Sequence, residues 1–213
     1  MENIKKICII VMITMLIVSF TNLFGINAAG ISVCLGVVFF FVNKVMEKQA
    51  FVGSGLDFKN IGTNLKEKSI WFWIAMPLMM DVISIVLAKL FLPEYIEHVL
   101  ARTENFVSLD NVVLLVVQLA VLALGEEIAW RAFFQKQLQK ALPITHVLII
   151  SSLLFAIGHI ASGSFIIVVY DVFFVFVNSV FYGVVFHKTN NAWISTIAHF
   201  TANLFSVIVL LFL

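Results

Sequence analysis

Long runs of apolar residues, separated by short polar stretches, dominate the pattern of this chain. None of the runs alternates with the period of two that a half-buried strand shows, so helices are favoured over strands. A bilayer core of about 30 Å is crossed by roughly 20 apolar residues in a helix. The pattern therefore predicts about seven membrane-spanning helices, within a range of six to eight, at residues 7–24, 29–46, 70–92, 111–138, 146–160, 164–186 and 192–213.

The predicted spans differ in how clearly their ends are marked. The fifth is short, and only residues 161–164 separate it from the sixth. The first, which follows Lys5 and Lys6, could be a signal peptide, but its apolar core is long and no Ala-x-Ala cleavage site follows it. The polar stretch 47–69 has room for a surface loop or an interfacial helix. We expect a single integral-membrane domain, residues 1–213, with the polar groups of interest in 111–213.

The composition agrees with this pattern. Of 213 residues, 62% are hydrophobic and only 12% are charged. This apolar fraction is higher than a water-soluble domain of the same length needs for its core. Because lipid cannot satisfy backbone N–H and C=O groups, the predicted fold class is an all-α, polytopic membrane helical bundle. Cys8 and Cys34 lie inside apolar runs, so they form neither a disulfide framework nor a metal-binding spacing.

The basic residues between the spans predict the orientation. One side of the membrane would carry Lys5, Lys6, Lys44, Lys48, Lys59, Lys66, Lys68, Lys136, Lys140 and Lys188. The other side would carry Lys89 and Arg102, beside Glu94, Glu97, Glu104 and Asp110. Because cytoplasmic loops are enriched in Lys and Arg, the N-terminus is predicted to be cytoplasmic. The net charge of +1 indicates no nucleic-acid partner.

Several ionisable or strongly polar residues lie inside the predicted spans, where they cost several kcal/mol unless they are paired. They are Asp81, Glu126, Glu127, Arg131, His159, Asp171, His199 and Asn203. Asp81 and Asp171 stand alone in their spans and are expected to be contacts within the bundle. The other six fall in three spans of the C-terminal half, which makes them the candidates for a functional site.

The stretch GEEIAWRAFF, residues 125–134, contains the first three of the six. Glu127 and Arg131 are four positions apart, so they share a helix face and can pair. Glu126 is turned by about 100° from Glu127 and is expected to face a cavity. A purely structural ion pair is the alternative, although it leaves one of the two carboxylates unused.

The other two spans bring histidine and asparagine. If the chain turns near residues 142–143, Glu126 and His159 lie at the same level of an antiparallel hairpin. His199 and Asn203 are four positions apart and share a face with Thr196. Both spans also have a structural interpretation, because histidine and asparagine form hydrogen bonds between membrane helices.

This set of residues suits peptide hydrolysis, which needs a base to activate water, an acid for the leaving amine and donors for the oxyanion. Glu126 can take a proton from water and later give it to the amine. One histidine can hold the water, and the other can donate to the oxyanion together with Asn203. The alternative is a zinc site formed by His159, His199 and Glu126, although the chain lacks an HExxH motif.

The ordered motifs EExxxR, FxxxH and HxxxN resemble the CPBP family of CAAX proteases and bacteriocin-processing or immunity membrane proteins, also called Abi. Here they are Glu126–Arg131, Phe155–His159 and His199–Asn203. The resemblance implies an intramembrane endopeptidase that opens towards the cytoplasm and needs no cofactor. It implies that Glu126 and His159 activate water, that His199 and Asn203 form the oxyanion hole, and that Glu127 and Arg131 support the site.

The resemblance leaves the substrate open. The Lys-over-Arg bias and the many Ile, Phe and Asn residues are typical of a low-GC bacterium, which indicates a bacterial plasma membrane. The expected partners are the lipid bilayer and a peptide or membrane-protein substrate, such as a pheromone precursor, a bacteriocin leader or a membrane-anchored regulator. The oligomeric state is not predicted. Two alternatives remain: a non-proteolytic bacteriocin-immunity or scaffold protein, and a small transporter or proton channel.

Overall fold

The computed structural model of the chain describes residues 4–23, 26–47 and 53–213. Its helices are α1 (Lys6–Ser19), α2 (Ala29–Met46), α3 (Ile61–Lys66), α4 (Lys68–Phe91), α5 (Glu94–Glu104), α6 (Val112–Glu127), a π-helix (Ile128–Gln135), α7 (Lys136–Leu138), α8 (Ile144–Ile157), α9 (Phe165–Thr189) and α10 (Ala192–Leu211). Two strands of two residues each, β1 (Asn22–Leu23) and β2 (Ile26–Asn27), pair antiparallel between α1 and α2.

The described residues form an all-helical membrane bundle, as the hydrophobic pattern predicted. Five helical segments are long and apolar enough to cross a bilayer: α2, α4, the continuous segment Val112–Leu138, α9 and α10. The other two predicted spans are the shorter apolar helices α1 and α8, of 14 residues each. Large apolar side chains such as Phe165 and Val113 remain 82% and 75% exposed, which fits a lipid-facing surface. The protein is therefore an integral membrane protein.

The two shorter helices differ from the predicted spans at their ends. The first span was predicted to reach residue 24, but α1 ends at Ser19, because the chain turns back through β1 and β2. Helix α8 ends at Ile157, and its 14 residues rise only about 21 Å. The residues that follow α8 are therefore expected to lie within the membrane rather than at its surface.

The polar segments contain two helices. Part of 47–69 forms α3, in agreement with the room predicted there for an interfacial helix, while Lys48 lies outside the described residues. Helix α5 was not predicted. Glu94 and Glu97 occupy its first turn, where negative charge is favourable, and it buries Tyr95 and Val99 against the bundle.

The fourth predicted span is not a regular α-helix. Its middle, Ile128–Gln135, is π-helical, and all eight of its residues are buried. Helix α2 packs closely against it, since a Cβ placed on Gly36 would lie 2.5 Å from the Cβ of Ala129. π-helical segments are rare and are frequently found at functional sites. Here the π-helix begins directly after Glu126 and Glu127.

A tight turn sets the position of α10. Asn190 adopts a left-handed conformation with φ 47°, which asparagine tolerates better than most residues, and it ends α9. The Asn191 side chain then caps α10 at the backbone N–H of Trp193 and also accepts a hydrogen bond from the backbone N–H of Asp57. Helix α10 packs between α4, α6 and α9, which places its polar residues in the centre of the bundle.

The two isolated aspartates make contacts between helices, as expected. Asp171 on α9 lies 3.0 Å from Nη1 of Arg102 and 3.4 Å from Nε2 of His98, both on α5. Asp81 on α4 accepts a hydrogen bond of 2.7 Å from Nδ2 of Asn178 on α9. No role was predicted for His98, which lies in a polar stretch between two predicted spans.

Candidate active site

The candidate site lies where α6 and the π-helix that continues it pack against α10, with α8 in contact with the π-helix. Glu126 and Glu127 are the last two residues of α6, and Arg131 lies in the π-helix that follows. His159 comes two residues after the end of α8. His199 lies two turns into α10, and Asn203 lies one turn further on. Apart from His146 at the start of α8, these three helices carry no other ionisable side chain, so the ionisable groups are concentrated here.

Glu127 and Arg131 form the predicted pair in the core of the protein. Arg131 Nε lies 3.4 Å from Glu127 Oε2, and both side chains are completely buried. Arg131 Nη2 also donates to the carbonyl oxygen and the hydroxyl of Ser179 on α9, at 3.3 and 3.2 Å. The rings of Phe155 and Tyr182 lie 5.0 and 5.8 Å from its guanidinium carbon, within the range of cation–π contacts. Arg131 therefore joins the π-helix to α8 and α9.

His199 lies between the two glutamates. Its Nδ1 is 3.0 Å from Glu127 Oε1, and its Nε2 is 3.6 Å from Glu126 Oε2. Tyr182 stacks on the imidazole with 4.4 Å between ring centres and an interplanar angle of 15°. An ionised Glu127 can only accept, so Nδ1 carries the hydrogen, and Nε2 is the nitrogen that faces Glu126. This contact was not predicted, because Glu127 had been assigned only to Arg131.

His159 has a defined tautomer as well. Its Nδ1 lies 2.9 Å from the backbone oxygen of Phe155, which can only accept a hydrogen bond. Nδ1 therefore donates, and Nε2 of the neutral ring keeps a lone pair that can accept a hydrogen bond from water. The His159 side chain is half-buried, and its ring packs on that of Phe155 at 4.4 Å.

Phe155 also indicates the level of His159. Its ring lies 5.7 Å from that of Trp130 and 6.2 Å from that of His199. The chain reverses between α7 and α8, so the two helical segments run antiparallel. One turn forward from Phe155, towards His159, therefore corresponds to one turn back from Trp130, towards Glu126. The contact between Phe155 and Trp130 agrees with this register, while the common level of His159 and Glu126 stays a prediction.

Two of the predicted side chains have no direct polar contact with the rest. Within the described ranges, no hydrogen bond or ion pair joins His159 to Glu126. Asn203 is half-buried, and its side chain makes no hydrogen bond with any described residue. Glu126 keeps 21% of its side chain exposed, unlike Glu127. The structure thus joins Glu126, Glu127, Arg131 and His199 directly, and leaves His159 and Asn203 at the edge of this group.

The zinc alternative requires His159, His199 and Glu126 to come together around one ion. In the part of the chain that the structure describes, no three His, Cys, Asp or Glu side chains come together as a group that could hold a metal ion. His199 is committed through Nδ1 to Glu127, and His159 through Nδ1 to a backbone carbonyl. The zinc alternative through His159, His199 and Glu126 therefore remains a hypothesis for experiment.

An apolar groove of about 320 Å³ lies beside the site. It is lined by Ile61, Ala120, Val121, Leu124, Trp193, Thr196, Ile197 and Phe200. The groove is formed largely by α6 and α10, the helices that carry the two glutamates and His199, but none of these three residues lines it.

Two residues of the site were missed by the sequence reasoning. Ser179 holds Arg131, and Tyr182 stacks on His199, yet both lie on α9, which contains none of the three motifs. Their spacing of three in an otherwise apolar helix puts them on one face, which was the available signal.

A helical membrane bundle that encloses two adjacent glutamates, an arginine and a histidine defines the general class: a polytopic membrane protein with a cluster of ionisable side chains inside the bundle. Residues 108–205 match the family model described as "Type II CAAX prenyl endopeptidase Rce1-like". The resemblance to the CPBP family is therefore confirmed, and at the level of the family it supports a CAAX-type intramembrane endopeptidase. Neither the curated proteins nor the solved structures include a match to this chain.

Proposed function

We propose that the protein is an intramembrane endopeptidase of the glutamic type that hydrolyses a peptide bond with a water activated by Glu126 and His159. The observation that carries this proposal is the position of His199 between Glu126 and Glu127, with Arg131 paired to Glu127. One carboxylate is thereby neutralised and used to orient the histidine. The other, Glu126, keeps part of its side chain exposed and is available as a base.

The chemical steps follow from these different roles of Glu126 and Glu127. Water bound between Glu126 and Nε2 of His159 gives a proton to Glu126 as its oxygen attacks the scissile carbonyl carbon. The carbonyl π electrons move to the oxygen, and this oxyanion accepts hydrogen bonds from His199 Nε2–H and from the amide of Asn203. His199 can donate from Nε2 only while both ring nitrogens carry hydrogen, and Glu127 supports that form by accepting from Nδ1. Glu126 then gives its proton to the leaving amine as the C–N bond breaks, which restores the free enzyme.

The surroundings support a membrane-associated substrate. The apolar groove between α6 and α10, the helices that carry Glu126 and His199, can hold an apolar segment of a peptide. We infer that the substrate is a membrane-associated peptide or protein in a bacterial plasma membrane, with the enzyme's N-terminus in the cytoplasm. The basic residues on one side of the bundle are the support for this orientation.

Glu126→Gln tests the proposal. The substitution keeps the size of the side chain and removes the base, so cleavage of a membrane-anchored reporter peptide should fall by about 10² to 10⁴-fold, with unchanged membrane expression. Asp110→Asn, which alters an exposed carboxylate away from the site, serves as the control and should cleave normally. Cleavage by Glu126→Gln at the rate of the parent protein would eliminate Glu126 as the base.

Glu126→Gln also tests the second candidate function, a non-proteolytic immunity or scaffold protein. This alternative is retained because the CPBP family includes bacteriocin-immunity proteins as well as proteases. A protein that protects only by binding keeps its protective phenotype with Glu126→Gln. An enzyme loses its phenotype together with its cleavage activity. Comparative peptidomics of cells with and without the protein would identify the peptides to use in this assay.

A further inference from the structure

Asp81 is the one carboxylate at membrane depth, among the described residues, that has no cationic or histidine partner within ion-pair distance. Glu127 pairs with Arg131, Glu126 faces His199, and Asp171 faces Arg102 and His98. Asp81 instead accepts one hydrogen bond, on Oδ1, from the neutral amide of Asn178. An ionised carboxylate inside a membrane protein is costly unless a positive charge is near it. The missing cation is the observation to be explained.

The position of Asp81 connects it with the candidate site. Its partner Asn178 directly precedes Ser179, which holds Arg131, and lies one turn before Tyr182, which stacks on His199. Asp81 is thus joined, through Asn178, to the helix that contacts both Arg131 and His199. A group bound to Asp81 would therefore lie against α9, near the residues that contact Arg131 and His199.

The second oxygen of Asp81 is free to bind such a group. Oδ2 accepts no hydrogen bond from any residue that the structure describes, and the Asp81 side chain is only half-buried. The Oδ1 contact with Asn178 fixes the orientation of the carboxylate. The result is an oriented carboxyl group with one free oxygen, bound to the helix α9 whose Tyr182 stacks on the proposed catalytic histidine.

We propose that Asp81 is a specificity-determining residue that binds a lysine or arginine side chain of the substrate, close to the scissile bond. This inference rests on the proposed function, since it assigns a substrate contact to the same site. The cation from the substrate completes the ion pair that the protein leaves open. A substrate without a basic residue at that position leaves the Asp81 carboxylate unpaired.

The test uses the purified protein in proteoliposomes and a library of internally quenched peptides. Each position near the scissile bond carries in turn lysine or norleucine, which has a similar length and no charge. The parent protein should prefer lysine at one position. Asp81→Asn should lower kcat/KM for the lysine peptide by about 10- to 100-fold, the usual effect of a hydrogen bond to a charged group, and leave the norleucine peptide unchanged.

Asp81→Asn is suited to this test because the new amide oxygen can still accept the hydrogen bond from Asn178. Asp81→Glu, which keeps the charge, should retain part of the preference for lysine. An equal loss for both peptides, or a parent protein without any preference for lysine, would overturn the inference and leave Asp81 as a contact between α4 and α9. Glu126→Gln separates the two proposals: it should abolish cleavage of both peptides, and if it does not, the proposed function itself has failed.

Discussion

Replacing Arg131 with alanine tests the buried pair that supports the candidate site. The substitution removes the guanidinium from Glu127, from the Ser179 carbonyl and hydroxyl, and from the faces of Phe155 and Tyr182. Glu127 is completely buried, so water cannot compensate for the lost partner. Breaking a buried pair in this way costs about 3–5 kcal/mol. For a chain of this length, that corresponds to a fall in Tm of roughly 6–20 °C.

Two further variants distinguish the ion pair from general damage. Ser179→Ala removes one hydrogen bond to Arg131 but leaves the backbone carbonyl in place, so it should cost only about 1.5 kcal/mol. The double variant Glu127→Leu with Arg131→Met replaces both charges by apolar groups, which is often neutral for stability. It should regain most of the lost Tm while remaining inactive, because His199 Nδ1 has lost its acceptor.

The measurements are thermal unfolding in detergent and reporter cleavage by the same preparations. A Tm for Arg131→Ala equal to that of the parent protein would show that the pair contributes nothing to stability. A double variant as unstable as Arg131→Ala would show that the loss comes from packing rather than from the unpaired charge. Either result would refute the electrostatic reasoning.

Three other perturbations have defined outcomes. Gly36→Ala should lower the stability by about 1–3 kcal/mol, because its methyl group meets Ala129, whereas Gly30→Ala on the same helix has nothing within 4 Å and should not lower the Tm. Burial raises the pKa of Glu47, but the hydrogen bond and the charge of Lys140 outweigh this effect and lower the pKa overall. The contribution of Glu47 to the stability of the folded protein is therefore present at neutral pH and lost as the pH falls below about 4. Glu47→Gln should therefore flatten the dependence of Tm on pH in that acidic range, and an unchanged pH profile would contradict this. Chelators should leave reporter cleavage by the purified protein unchanged, while a loss that added zinc restores would support the metal alternative.

The number and placement of the apolar helices could be predicted from the sequence because each depends on a local property, the length of an apolar run. The pairing of Glu127 with Arg131 was equally local, since four positions along a helix bring two side chains together. The end of α8 at Ile157 was not predicted, since the span was expected to reach residue 160. A run of apolar residues continues beyond that point, and composition alone does not show where helical hydrogen bonding stops.

The contacts between distant helices could not be predicted in the same way. His199 meets Glu127 from 72 positions away, and Arg131 meets Ser179 from 48 positions away. Such contacts depend on the direction in which each side chain points from its helix. The π-helix changes that direction for the residues it contains, compared with a regular α-helix. The pattern of residues 111–138 contains no signal for that change, because π-helical and α-helical segments can be equally apolar.

The two adjacent glutamates have different surroundings, so replacing each of them by glutamine should affect the Tm differently. Glu127 is held by Arg131 through one oxygen and by His199 through the other, whereas Glu126 faces His199 and keeps 21% of its side chain exposed. Glu127→Gln leaves the Arg131 charge buried and unpaired, so it should lower both Tm and the rate of cleavage. Glu126→Gln removes a carboxylate whose unfavourable burial is only partly offset by His199, so it should lower the rate while leaving the Tm unchanged or raised. If the two variants lost Tm to the same extent, Glu126 would be a structural partner of His199, and the assignment of the base would have to move to another residue.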